Sequence, residues 1–213
     1  MRDKRLSIRL KLRLAFFTAT LLVASAWATP REKILHNFNF TDGTGPVAGL
    51  IFDGTGNLYG TTFGGGNGTA CNANCGTVFE LTPKAGGGWK EMVLHNFGHG
   101  TDGATPYAGL IFDASGNLYG TTSAGGIYGA GTVFELTPNA DGGWAEKLLH
   151  SFNGKDGLNP YASLIFDTSG NLYGTTRSGG SGTDCFGTSC GTVFELTPKA
   201  DGGWTEKVLH TFH

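Results

Sequence analysis

Along the chain, short apolar runs alternate with polar, glycine-rich breaks, and the same runs return in the same order. GLIFDGTGNLYGTT at residues 49–62 comes back as GLIFDASGNLYGTT from Gly109 and as SLIFDTSGNLYGTT from Ser163. Each copy continues into GTVFELTP and then into a Trp-led segment, WKEMVLHNF, WAEKLLHSF or WTEKVLHTF. Self-similarity at a fixed period is the mark of a repeat architecture. Within each unit, four runs rich in Val, Ile, Leu, Phe, Tyr and Thr are separated by Gly, Asp, Asn and Pro. They predict four antiparallel strands, A to D.

The turn between A and B accounts for much of what repeats. Asp53 stands where its carboxylate accepts backbone N–H groups of a tight turn, and Gly56 where a positive φ leads into the next strand. Asp113 with Gly116 and Asp167 with Gly170 repeat the arrangement. A calcium loop is the alternative, because Asp53, Thr55 and Asn57 offer oxygens at alternate positions, but the glycine and distal glutamate of an EF-hand loop are missing.

Strands A and C are apolar at consecutive positions, as in Leu50-Ile51-Phe52 and Val78-Phe79, so both sheet faces require cover. Small four-stranded sheets packed face to face around an axis meet that demand. The expectation is an all-β, β-propeller-like array of three four-stranded blades at 46–97, 106–152 and 160–212, with an extra N-terminal strand at 32–38. A β-sandwich is the runner-up. The extra strand, EKILHNF, duplicates the D word although the third unit keeps its own D strand, so the ring is incomplete or completed by oligomerisation. A longer array of which this is a piece is the preferred reading. Two chains forming a six-bladed homodimer, and a compact three-bladed form, are the others.

The pattern resembles the GloVer (Gloeo/Verruco) tandem repeat of exported "choice-of-anchor" bacterial proteins, through LIFD-x-x-GNLYGTT, GTVFELTP and the LH-x-F strand. More loosely, the A–B hairpin is similar to blades of NHL and gluconolactonase-like propellers. The resemblance implies an exported propeller-like array, usually anchored at its C-terminus, with no established activity. The sequence departs from that pattern in ending at His213 without an anchoring tail and in lacking a lipidation cysteine after the leader.

The first 28 residues are set apart from the repeats. A basic stretch, the apolar run LAFFTATLLVASAWA and the small residues of Ala26-Trp27-Ala28 read as a secretory signal peptide, leaving a repeat domain over 29–213 with no membrane span. Removing the leader takes six bases and one acid from the 15 basic and 17 acidic residues, so the exported part is acidic. That composition argues against a nucleic-acid partner. Cys71 with Cys75 and Cys185 with Cys190 read as two small disulfide staples of an exported protein, with a four-cysteine zinc site as the sharper alternative.

Length varies only between B and C: Phe52 to Phe79, Phe112 to Phe134 and Phe166 to Phe194 are 27, 22 and 28 residues apart. In a propeller blade the B–C and D–A loops share a rim, a layout suited to binding. The candidate binding residues there are Ile127, Tyr128, Arg177, Asp184 and Phe186, joined by Asp42, Asp102 and Asp156 of the D–A loops. A ring of carboxylates suits a cation or sugar hydroxyls; the alternative, favoured by repetition, is that each Asp organises its own turn. His36, His95, His150 and His210 are read as structural rather than as a metal ring, and Trp89, Trp144 and Trp204 as packing residues. Glu80, Glu135 and Glu195, set between Phe and Leu in strand C, need a hydroxyl, a backbone group or a lysine such as Lys147 or Lys207.

No catalytic constellation, cofactor motif or metal motif stands out. The expected function is a secreted, non-catalytic scaffold binding an extracellular glycan, surface polymer or protein. A metal-dependent lactonase-like propeller and a purely structural envelope protein are the alternatives.

Overall fold

The computed structural model describes residues 31–71, 75–182 and 190–213, and residues Ile34–His213 form one unit. Within it the chain makes three four-stranded antiparallel sheets in sequential order. The first comprises β1 (Ile51–Phe52), β2 (Leu58–Thr62), β3 (Thr77–Pro83) and β4 (Trp89–Asn96). The second comprises β5 (Ile111–Phe112), β6 (Leu118–Thr122), β7 (Thr132–Pro138) and β8 (Trp144–Ser151). The third comprises β9 (Ile165–Phe166), β10 (Leu172–Thr175), β11 (Thr192–Pro198) and β12 (Trp204–Thr211). These are the expected strands A to D in three blades. No helix among the described residues is long and apolar enough to cross a membrane.

The A–B turn is built by its aspartate. Asp53 Oδ1 accepts the backbone N–H of Thr55 and of Asn57, at 2.8 and 2.9 Å, and Gly56 takes a φ of 94°. Asp113 and Asp167 accept the same two bonds in their own blades. The glycine inside strand B has a different cause. A Cβ on Gly60, Gly120 or Gly174 would lie 2.7, 2.6 or 2.5 Å from the ring of Phe79, Phe134 or Phe194, so strand C lays its phenylalanine over bare backbone.

Consecutive apolar residues in strand C serve two faces, as the sequence requires. On the face turned toward the preceding unit, Leu118, Phe134, Leu136 and Trp144 of the second blade meet Tyr59, Val78, Leu94 and Phe97 of the first. The next junction repeats this, with Leu172, Phe194, Leu196 and Trp204 against Tyr119, Val133, Leu149 and Phe152. A bulge between strands C and D makes the D strand fit. At Val78/Phe79 the register slips so that Phe79 faces Val93 while Val78 faces His95, leaving Leu94 as the extra residue that enters the junction.

Residues 32–38 differ from expectation in form. Among the described residues they join no sheet. Instead Leu35 and Phe38 pack on Leu58, Phe79, Leu81 and Trp89 of the first blade. The Phe38 ring meets Phe79 edge-on at 4.9 Å, as Phe97 meets Phe134 and Phe152 meets Phe194 at 5.0 Å. The segment therefore takes the place of the end of a preceding D strand.

Candidate binding face

Each D–A loop is tied to the B–C loop of the blade that follows it. Thr44 pairs with Gly64, Ala104 with Ala124 and Leu158 with Ser178 in short antiparallel bridges, so both loop sets share one rim. Behind the bridges the repeated threonines pair across strands B and C: Thr62 with Thr77 at 2.8 Å, Thr122 with Thr132 at 2.7 Å, and Thr176 with Thr192 at 2.9 Å. Thr77 and Thr192 also donate to the carbonyls of Asp42 and Asp156, fastening the D–A loop to the sheet. The rim has a rigid base, although its outer residues vary.

Near this rim the starts of the three A strands converge. A Cβ on Gly109 would lie 3.1 Å from Ser163 Oγ and 3.4 Å from the Gly49 carbonyl. Beside that convergence runs a line of rings. Phe63 and Tyr107 stack nearly parallel at 5.2 Å, Tyr107 meets Tyr161 edge-on at 5.1 Å, and the Arg177 guanidinium lies 5.6 Å from the Tyr161 centroid. The line crosses from the first blade to the third and mixes apolar, hydroxyl and cationic groups. Ile127 and Tyr128 project from the second B–C loop, 61% and 64% exposed.

Of the expected binding residues, Arg177 belongs to this line, and Ile127 and Tyr128 stand out on the same rim; Asp184 and Phe186 lie outside the described residues. Asp42, Asp102 and Asp156 work inward. Their Oδ1 atoms accept backbone N–H groups from Asn39, from Gly98 and His99, and from Asn153. Their Oδ2 atoms pair with Nε2 of His36, His95 and His150 at 3.0 to 3.2 Å. Phe63, Tyr107 and Tyr161 escaped the sequence reading. The signal was there: positions 47, 107 and 161 read Val, Tyr and Tyr between a constant proline and a constant alanine.

Cys71 and Cys75 form a disulfide, and Cys75 is fully buried in the junction between the first two blades, so this staple also fills core. Cys190 is likewise disulfide-bonded, while Cys185 lies outside the described residues.

A repeat word that builds a turn, a strand glycine and two packing faces three times over is the family trait of this chain. It belongs to the Gloeobacter/Verrucomicrobia repeat family. The family profile matches residues 22–213. No curated protein matches the chain.

The strand-C glutamates of this Gloeobacter/Verrucomicrobia repeat protein find a hydroxyl. Tyr59, Tyr119 and Tyr173 donate to Glu80, Glu135 and Glu195 at 3.0, 2.8 and 2.8 Å, and each hydroxyl also lies 3.1 to 3.2 Å from the turn aspartate of its own blade. A lysine faces Glu135 and Glu195 in the register, Lys147 and Lys207, and among the described residues only Lys147 comes within ion-pair distance, at 3.9 Å; Met92 opposes Glu80. Burial, then the neighbouring glutamate, pushes the Tyr59 and Tyr119 hydroxyls well above the ordinary tyrosine range, so they remain protonated donors. Burial disfavours the charge on Asp53 and Asp113, yet the hydrogen bonds converging on each carboxylate outweigh it and hold the pKa below the usual value. The strand-C glutamates and the turn aspartates are therefore satisfied within their own blades.

Proposed function

We propose that this protein is an exported, non-catalytic repeat scaffold that binds an extracellular glycan or similar surface polymer along the aromatic line of its loop-bearing rim. The observation that carries the reading is the run from Phe63 through Tyr107 and Tyr161 to Arg177, set on bridged loops where blade-to-blade variation is concentrated. Aromatic rings offer flat apolar area at low entropic cost, and a neighbouring guanidinium adds a donor fork for hydroxyl or carboxylate groups. Fixed backbone beneath them reduces the ordering cost of binding. Export is supported by the basic-then-apolar leader and by the Cys71–Cys75 disulfide, which persists in oxidising compartments. A non-catalytic role is supported by the inward use of the turn aspartates, the loop aspartates and the strand-C glutamates, each of which already has a structural partner.

The test is retention on a panel of immobilised neutral and acidic polysaccharides, comparing the wild type with Tyr107→Ala/Tyr161→Ala and with Arg177→Ala. Binding to at least one polymer, lost on removing the two tyrosines and weakened without Arg177, is the expected result. Retention unchanged in the double tyrosine variant would sink the assignment of this face. Loss of Arg177 affecting only acidic polymers would specify the ligand charge.

A further inference from the structure

The histidines and loop aspartates described above have a third neighbour at every junction. Glu91, Glu146 and Glu206, one per D strand, turn toward the His–Asp pair that precedes their blade. Ligand atoms of His36, Asp42 and Glu91 all lie within 4.8 Å of one another, as do those of His150, Asp156 and Glu206. The middle junction holds the same residue types in His95, Asp102 and Glu146.

Two observations set these trios apart from ordinary ion-pair clusters. Oε1 of Glu91, Glu146 and Glu206 is shut off from solvent and receives no hydrogen bond, in all three copies. Among the described residues, no Lys or Arg pairs with any of the six carboxylates. A buried, undonated carboxylate oxygen beside a second carboxylate is costly unless a cation or a proton meets it. Each Asp is already oriented by the loop N–H groups on its Oδ1, as outer partners orient metal ligands.

We propose that the His36–Asp42–Glu91 and His150–Asp156–Glu206 trios are inter-blade sites for a divalent transition cation of the Zn2+ class. One imidazole nitrogen and two carboxylate oxygens suit that class better than Ca2+ or Mg2+, which take oxygen ligands in larger number. A zinc-class cation would need the three ligand atoms, within 4.8 Å of one another, to close to a radius of ~2 Å around it, with a water as the fourth ligand. The cation neutralises two carboxylates and links the D strand of one blade to the element occupying the preceding D position. It ties Glu91 to the N-terminal segment, and Glu206 to β8 and the loop that follows it.

The test is calorimetric titration of the chelator-stripped full chain with Zn2+, and separately with Ca2+ and Mg2+, at pH 7.5, with Co2+ absorption as a readout of the ligand set. Expected are about two strong Zn2+ sites, weak or no Ca2+ and Mg2+ binding, tetrahedral Co2+ bands, and a thermal midpoint raised by roughly 5 °C in saturating Zn2+. Glu91→Gln/Glu206→Gln, which keeps size and polarity, abolishes the strong sites, whereas Glu32→Gln leaves them intact. Absence of saturable Zn2+ binding would overturn the proposal. So would full binding in the double variant, which would place the metal away from these two trios. Should the double variant fail to fold, the Co2+ spectrum decides on the wild type alone: octahedral, water-rich bands refute the site.

Discussion

Two faces of the same repeat stand in opposite surroundings. On the second blade, Leu149 and Phe152 enter the junction with the third and are 9% and 0% exposed; on the third blade their counterparts, Leu209 and Phe212, are 43% and 45% exposed. The segments that carry them match closely, LLHSF against VLHTF, and the strand geometry is the same down to the bulge. His150 pairs with Asp156, whereas His210 keeps its edge contact with Phe212 and has no carboxylate partner among the described residues. The repeat word therefore specifies an interface as much as a sheet. Each blade makes its own four-stranded ladder, and the interface decides whether its apolar side chains contribute to stability.

The largest effect expected from this contrast is at the phenylalanines. Phe152→Ala removes a ring packed against Phe194 and is expected to cost about 3–5 kcal/mol in denaturant unfolding. Phe212→Ala is expected to cost less than about 1 kcal/mol, because much of that ring already faces water. Equal losses would break the comparison and mean that the third face is covered in solution. A Phe212 cost that grows with protein concentration would identify a second copy as the cover.

A smaller effect separates the tyrosine bridges. Tyr119→Phe leaves Glu135 and Asp113 without their shared donor in a mostly buried setting, and a loss of about 1–3 kcal/mol is expected. Tyr173→Phe removes the same two bonds on the uncovered face, where water replaces the donor, so its loss is markedly smaller. Thermal unfolding of the two variants side by side sharpens the comparison. A Tyr173 variant as damaged as the Tyr119 variant would show that the bridge matters through the turn rather than through burial.

Much of this was legible in the sequence because repetition supplies its own controls. Three copies fixed the strands, the A–B turns and the two-faced character of strand C, since each reading had to hold three times. The form of residues 32–38 was not legible: EKILHNF is a strand word, but a strand needs a neighbour, and that depends on tertiary placement. His36, His95 and His150 read as structural, and nothing in the repeat words showed that Glu91, Glu146 and Glu206 reach the preceding His–Asp pairs. The aromatic line was missed for a related reason. Tyr107 and Tyr161 occupy one repeat position, where the first copy has Val47, but Phe63 and Arg177 come from the B–C loops, so aligning the copies shows two rings of the line and not that the fold sets them beside the other two groups.

The smallest effect is a pH dependence confined to the covered junctions. Burial raises the pKa of Glu146 and Glu206 from the ordinary glutamate value to about 7, and raises that of Glu91. The folded state then holds protons that the unfolded chain has released, so this contribution is complete below about pH 4.5 and is lost as pH rises to about 7. Because Glu146 and Glu206 remain partly exposed, their contributions are discounted to about 1 kcal/mol each. His150 runs the other way across part of that window, since burial lowers its pKa and its contribution grows as pH rises. The depressed Asp53 and Asp113 act lower still, losing their contribution as pH falls through the acid range. The informative quantity is thus a difference between proteins, not the wild-type profile. Glu146→Gln/Glu206→Gln is expected to remove most of the decline between pH 4.5 and 7 in metal-free buffer, leaving the part due to Glu91 and the acid limb intact. A decline unchanged by those substitutions would move the titration away from the junctions, and with it the claim that the covered and open faces differ in their electrostatics as well as in their packing.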